Sequence, residues 1–170
     1  MYTRHSLVET TLGALTLIAV DEAIVGLYFS QHWHPPSDGA LGVRVDEASD
    51  PLLGRAATQL HEYLAGARRA FDLPTATRGD SFQESVWAVL RTIPFGATTT
   101  YGAIAEGLGD KAQARRVGQA VGHNPLSIIV PCHRVVGKGG KLTGFAGGLE
   151  RKQRLLDLEA PSSGREMRLF

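Results

Sequence analysis

Residues 101–124 read YGAIAEGLGDKAQARRVGQAVGHN. The pattern predicts a short helix over 101–108, introduced by the run Thr98-Thr99-Thr100. Gly109-Asp110 breaks it; Asp110 can cap the next helix, and Gln113 completes a capping box. That helix, 111–121, is rich in small residues and carries Arg115 and Arg116, and Gly122-His123-Asn124-Pro125 stops it. Two short helices around a glycine-containing turn, the second one basic, describe a helix-turn-helix. A plain helical hairpin is the commoner arrangement in proteins at large. The basic residues and the threonine run raise the DNA-binding reading above it.

Upstream, Ser81-Phe82-Gln83-Glu84 has the form of a capping box, and Phe82, Val86, Trp87 and Leu90 make one apolar helix face that ends at Pro94 and Gly96. Before residue 75 the period changes. Residues 12–20 and 23–29 are β-rich, Asp21-Glu22 between them suits a hairpin, and residues 5–10 suit a further strand. Residues 30–49 contain Pro35-Pro36-Ser37-Asp38-Gly39 and read as a loop with room for an edge strand. Asp50-Pro51 opens a helix as N-cap and first-turn proline; Leu52, Leu53, Ala56, Leu60, Tyr63 and Leu64 follow at helical spacing, and Gly66 stops it. Residues 70–74 read as a short strand, and the polar stretch 75–79 as a boundary. Downstream, 149–158 reads as an amphipathic helix with Leu155, Leu156 and Leu158. The expected fold is α+β: a small N-terminal β-sheet with a helix over 1–79, then a mostly helical subdomain over 80–170.

The bulk properties narrow the function. The chain has 170 residues, 43% hydrophobic and 21% charged, the usual range for a globular protein. One cysteine excludes an intrachain disulfide, the N-terminus lacks a signal-peptide core, and no stretch approaches the roughly 20 apolar residues of a membrane span. A cytoplasmic protein with no membrane role is expected. The net charge of +1 is unevenly spread: residues 111–154 hold nine Lys or Arg and one acid, so they carry +8 and the remainder −7. A basic end on an acidic chain suggests a polyanion partner, although solvated basic faces are common.

The lone cysteine lies inside that basic segment, in Val130-Pro131-Cys132-His133-Arg134-Val135-Val136. A buried core thiol gains nothing from an adjacent imidazole and guanidinium. A nucleophile does, because nearby positive charge and a base favour the thiolate. His133 follows Cys132 directly, so in an extended segment its side chain points away. A bend or a bridging water is needed for the two to communicate. A third group should orient the imidazole, and Glu106, Glu150, Asp157 and Glu159 are all candidates.

Asn124-Pro125 together with Val130-Pro131-Cys132-His133-Arg134-Val135 resemble the active-site signature of the O6-alkylguanine-DNA alkyltransferases. The resemblance is close from Ser81 to Glu159 and weaker over the N-terminal strands. It implies a ribonuclease H-like first subdomain and a winged-helix or helix-turn-helix-like second one. It implies base flipping and a single irreversible transfer of the alkyl group to Cys132, with no metal and no organic cofactor. His133 would be the base, acting through a water, with Glu159 orienting it; Asn124 would tie the recognition helix to the cysteine segment. Tyr101 would donate to the flipped base. The carbonyls of Cys132 and Val135 would read its amino group, and the Ala146 N–H its exocyclic oxygen. Arg115 would fill the gap left in the duplex. Arg116, Thr100, Ala114 and Gly118 would belong to the DNA-binding surface, and Ala112 and Ala120 are further small residues of that helix. The implied partner is double-stranded DNA carrying O6-alkylguanine, entered through the minor groove, so the protein would be nucleoid-associated when on DNA. The oligomeric state is left open, cooperative clustering on DNA included.

The chain departs from some relatives at Phe145 and Ala146, where they carry tyrosine and serine, so hydroxyl contacts to the base are missing there. It also lacks the cysteines of the family's occasional zinc site, for which His32 and His34 are no substitute. Two other classes stay in view. A non-catalytic damage sensor would keep the pocket but replace Cys132. A small-molecule cysteine hydrolase or thiol transferase would turn over repeatedly and need neither Arg115 nor the helix-turn-helix.

Overall fold

The computed structural model describes residues 1–161. The chain divides into two compact units. One is Met1–Thr77 with Pro125–Ile129; the other is Arg78–Asn124 with the described residues from Val130 on. The first unit is therefore not contiguous in sequence, a departure from a simple cut at 79.

In the first unit, β1 (Thr3–Thr10), β2 (Gly13–Val20), β3 (Ala23–Phe29) and β4 (Val43–Arg44) form a sheet in the order β3-β2-β1-β4. The first three strands are antiparallel neighbours, and the two-residue edge strand β4 runs parallel to β1. The β2–β3 hairpin turns at Asp21, which sits in the left-handed region at φ 50°. α1 (Pro51–Leu64) buries Leu53, Ala56, Leu60 and Tyr63. Its N-cap, Asp50, accepts from Leu53 N and also takes the Arg4 guanidinium at 2.8 Å. One carboxylate thus caps the helix and neutralises a buried charge on β1. The hydrogen bond from Arg4 holds Asp50 below the usual carboxylate range.

Residues 70–74 do not form the expected strand. The Gln59 amide captures the main chain of Asp72 in both directions, donating to its carbonyl at 3.0 Å and accepting from its N–H at 2.8 Å. Those are the groups a ladder would have used. Only Thr75 bridges to Ile24. The segment Pro125–Ile129 supplies what the edge of β3 needs instead: Leu27 N donates to Pro125 O, and Ser127 N to Leu27 O.

The second unit begins with α2 (Ser81–Leu90), which buries Val86, Trp87 and Leu90. Its capping box lies one residue earlier than the sequence suggests. Asp80 caps Gln83 N, and the Gln83 side chain accepts from Asp80 N. An ionised carboxylate is the stronger acceptor for helix N–H groups, and Glu84 is engaged elsewhere, accepting from Gly79 N. α3 (Tyr101–Gly107) is capped by Thr100 Oγ1, which accepts from Ala103 N. The second helix of the pair opens as a 3₁₀ turn, Lys111–Gln113, before α4 (Ala114–Gly122). Asp110 caps that turn, and Gln113 bonds the Asp110 carboxylate rather than its main-chain N–H, so no reciprocal box forms. β5 (Thr99–Thr100) pairs in parallel with β6 (Val135–Val136). α5 (Leu149–Glu159) closes the described chain; its N-cap Gly148 has φ 93°, a conformation that side-chain-bearing residues rarely adopt. Among the described residues no helix is long and apolar enough to cross a membrane.

Candidate active site

Pro131 ends the apolar run at φ −79°, ψ 67°, and Cys132–Arg134 then form one 3₁₀ turn. This is the bend that the sequence required. It removes the strand alternation that would have sent Cys132 and His133 to opposite faces. Cys132 is buried at 4% exposure, and His133 has no exposed surface. Two hydrogen bonds converge on Val130 O, from Cys132 N at 2.7 Å and from Asn124 Nδ2 at 2.8 Å. Asn124, at the end of α4, therefore fixes the main chain two residues before the sulfur.

Of the four acids open to His133, the fold selects Glu159. His133 Nε2 donates to Glu159 Oε2 at 2.8 Å. Arg134 grips the same carboxylate with both arms, Nε to Oε1 and Nη2 to Oε2, each at 2.8 Å, while its Nη1 donates to Ile93 O. Burial alone would raise the Glu159 carboxyl, but the bonds from His133 and Arg134 outweigh it and hold it well below the usual range. Burial lowers His133, outweighing the bond and charge of Glu159 that pull the other way, and Arg134 and Lys152 add repulsion, so the ring is neutral near pH 7. A neutral ring that donates from Nε2 keeps a lone pair on Nδ1, and Nδ1 is buried without a protein partner. A base of fixed tautomer results, its free nitrogen poised for a proton.

Two residues that sequence reasoning passed over complete this chemistry. Arg134 was read only as a neighbour of the cysteine, and Lys152 only as part of the charge count. Lys152 has no exposed surface, and its Nζ donates to Thr143 O at 3.0 Å and Gly144 O at 3.3 Å. Burial lowers its pKa to about 8, and the charge of Cys132 opposes that fall. The signal was legible: Lys152, Leu155, Leu156 and Glu159 are spaced i, i+3, i+4, i+7 and form the buried face of α5. A lysine and a glutamate on a core stripe are seldom there for solubility.

Tyr101, the first residue of α3, is part-buried, and burial raises its pKa; the nearby Thr143 hydroxyl partly offsets this and Cys132 adds to it. Gly118 on α4 faces its ring: a Cβ there would lie 3.7 Å from Tyr101 Cδ1. Ala114 and Gly118 are half-buried, and Arg115 is exposed on the same helix. The Arg116 guanidinium lies over the Phe82 ring, 3.9 Å from its centroid. Ala120 does not share the outward face; it is buried, and its carbonyl accepts from Trp87 Nε1 at 2.8 Å. Val135 is fully buried and its N–H donates to Cys132 O, which leaves that carbonyl one lone pair for a ligand. Phe145 and Ala146 are buried in the segment between β6 and α5. Among the described residues no group of three or more His, Cys, Asp or Glu could hold a metal ion.

Comparison with known proteins gives this arrangement a lineage. Residues 3–77 match the family model for 6-O-methylguanine DNA methyltransferase, ribonuclease-like domain, and residues 81–161 match its DNA binding domain. The chain belongs to the 6-O-methylguanine DNA methyltransferase family. The methylated-DNA–protein-cysteine methyltransferase of Mycolicibacterium paratuberculosis is 44% identical over 164 residues, 96% of either chain. That of Methanosarcina acetivorans is 39% identical over 158 residues, 91% of this chain and 97% of its own. The crystal structure of Mycobacterium tuberculosis OGT in complex with DNA superposes with a TM-score of 0.83 at 39% identity, covering 92% of both chains. The buried Cys132, the His133 imidazole and the Glu159 carboxylate of α5 stand together in the part of the chain that matches the DNA binding domain. The helix-turn-helix carries the exposed cation Arg115.

Proposed function

We propose that this protein repairs DNA by flipping an O6-alkylguanine out of the duplex and moving its alkyl group, such as methyl, to Cys132. The observation that carries the reading is the buried Cys132–His133–Glu159 arrangement, with Nδ1 of a neutral imidazole left free. His133 draws the thiol proton away through a water. The sulfur then attacks the alkyl carbon in line: an S–C bond forms, the C–O bond breaks, and its electron pair leaves with guanine. The proton removed from the thiol is matched by one gained by guanine, so no outside reagent is needed. Tyr101 donates a hydrogen bond to the departing base, and the Ala146 N–H meets its exocyclic oxygen. Carbonyls of Cys132 and Val135 read its amino group. Preorganised donors of this kind supply much of the rate in such sites.

Extrusion of a base costs roughly a few kcal/mol. Arg115 entering the stack from α4 offsets part of that. Arg116, Thr100, Ala114 and Gly118 complete the surface that meets DNA, in the minor groove, where degenerate readout suits a repair protein that must work in any sequence. A thioether has no easy hydrolytic exit, so each chain acts once. The protein works in the cytoplasm, at the chromosome. The deciding test is intact mass after mixing with a duplex that contains one O6-methylguanine. One added methyl per chain, mapped to Cys132, is expected. Repeated turnover without a mass change would move the reading to a hydrolase; tight binding without a mass change would make it a damage sensor.

A further inference from the structure

Thr143 lies in the segment between β6 and α5, and two contacts fix it. Lys152 Nζ donates to its carbonyl at 3.0 Å. Its methyl packs against Gly137, where an added Cβ would come within 3.0 Å of Thr143 Cγ2. Val136 pairs in parallel with Thr100, so Gly137 and Tyr101 follow side by side, and Thr143, seated on Gly137, brings its hydroxyl, the remaining polar branch of Cβ, close to the Tyr101 phenol. Thr143 Oγ1 is closed off from solvent yet makes no hydrogen bond of good geometry. An unpartnered buried hydroxyl costs about 1–3 kcal/mol, and valine would fill the same volume without that cost. A hydroxyl kept under those conditions points to a partner that completes the bond during function.

We propose that Thr143 is a positioning residue for alkyl transfer: with a flipped base bound, its hydroxyl donates to the Tyr101 oxygen and so turns the phenolic proton toward the base. This rests on Tyr101 being the donor to the departing guanine. A phenol has one proton. When its oxygen accepts from Thr143, that proton is committed outward, and each bond in the chain strengthens the next. Thr143 touches neither the sulfur nor the alkyl carbon; it acts through Tyr101.

The test is the single-turnover rate of methyl transfer from a saturating O6-methylguanine duplex. It is measured for wild type, Thr143→Val, Thr143→Ser, Tyr101→Phe and the Tyr101→Phe/Thr143→Val double variant, with duplex affinity and thermal unfolding alongside. Thr143→Val is expected to slow transfer about three- to tenfold, the equivalent of one net hydrogen bond. It should leave duplex affinity unchanged and melt no lower than wild type. Thr143→Ser should restore most of the rate. In the Tyr101→Phe background Thr143→Val should have no further effect. A Thr143→Val rate equal to wild type, a serine variant as slow as the valine one, or the same fold loss without the phenol would each overturn the relay. Wild-type rates in Tyr101→Phe would remove the donor and the relay together. Absence of methyl on wild-type Cys132 would instead sink the functional reading itself.

Discussion

Lys152 pairs with no carboxylate among the described residues and is bonded only to the carbonyls of Thr143 and Gly144. An ammonium near a sulfur favours the thiolate, but burying it costs stability. The sign follows from its pKa of about 8, below the usual 10.5. Between those values the unfolded chain holds more protons than the folded one, so folding stability rises with pH across that window. Below about 8 the full cost is present. Lys152→Met should therefore slow transfer at least tenfold without loss of stability at pH 7, and the wild-type advantage of moving from pH 8 to 9.5 should vanish in the variant. Urea unfolding at the two pH values, with single-turnover kinetics, checks both. Its helical phase with Glu159 made Lys152 legible in the sequence. The choice of Glu159 over Glu106, Glu150 and Asp157 was not, on spacing alone, because it depends on where α5 ends relative to the turn at Cys132.

At the level of elements, α4 carries a glycine where alanine would be more stable. Gly118 sits mid-helix, where glycine costs about 1 kcal/mol against alanine. A Cβ there would make ordinary contact with Tyr101, 3.7 Å away, and meet nothing closer. Gly118→Ala should accordingly raise the melting temperature while weakening duplex binding severalfold, measured by fluorescence anisotropy with a Cys132→Ser partner variant to hold chemistry silent. Equal or tighter binding would mean that α4 does not approach DNA by its backbone at this point. Helix existence and order were readable from period and caps. The errors lay where side chains compete for main-chain groups: Gln59 takes the Asp72 positions that a strand would use, and Asp80 displaces Ser81 as the cap. Such contests are settled by tertiary neighbours, which a local pattern does not contain.

For the molecule as a whole, the telling feature is the route of the chain. Residues 125–129 leave the second unit, serve the first, and return. The Thr77–Arg78 junction is thus not the only covalent link between units. A protease site inserted at that junction should yield, after cleavage, two fragments that still elute together and still accept one methyl, because the second fragment carries the segment bonded to Leu27 of the first. Separation on gel filtration would show those bonds too weak to hold. Sequence reasoning put this segment wholly with the cysteine, since an apolar run gives no sign of which core it fills.

That excursion also contains Ile128, a β-branched residue in the left-handed region at φ 72°, a conformation worth roughly 1–3 kcal/mol of strain. Four residues later comes the sulfur. Between them, the bond from Asn124 Nδ2 to Val130 O closes the neck of the loop. Asn124 works as a cable clamp, holding together the two points at which the chain leaves for residues 125–129 and comes back.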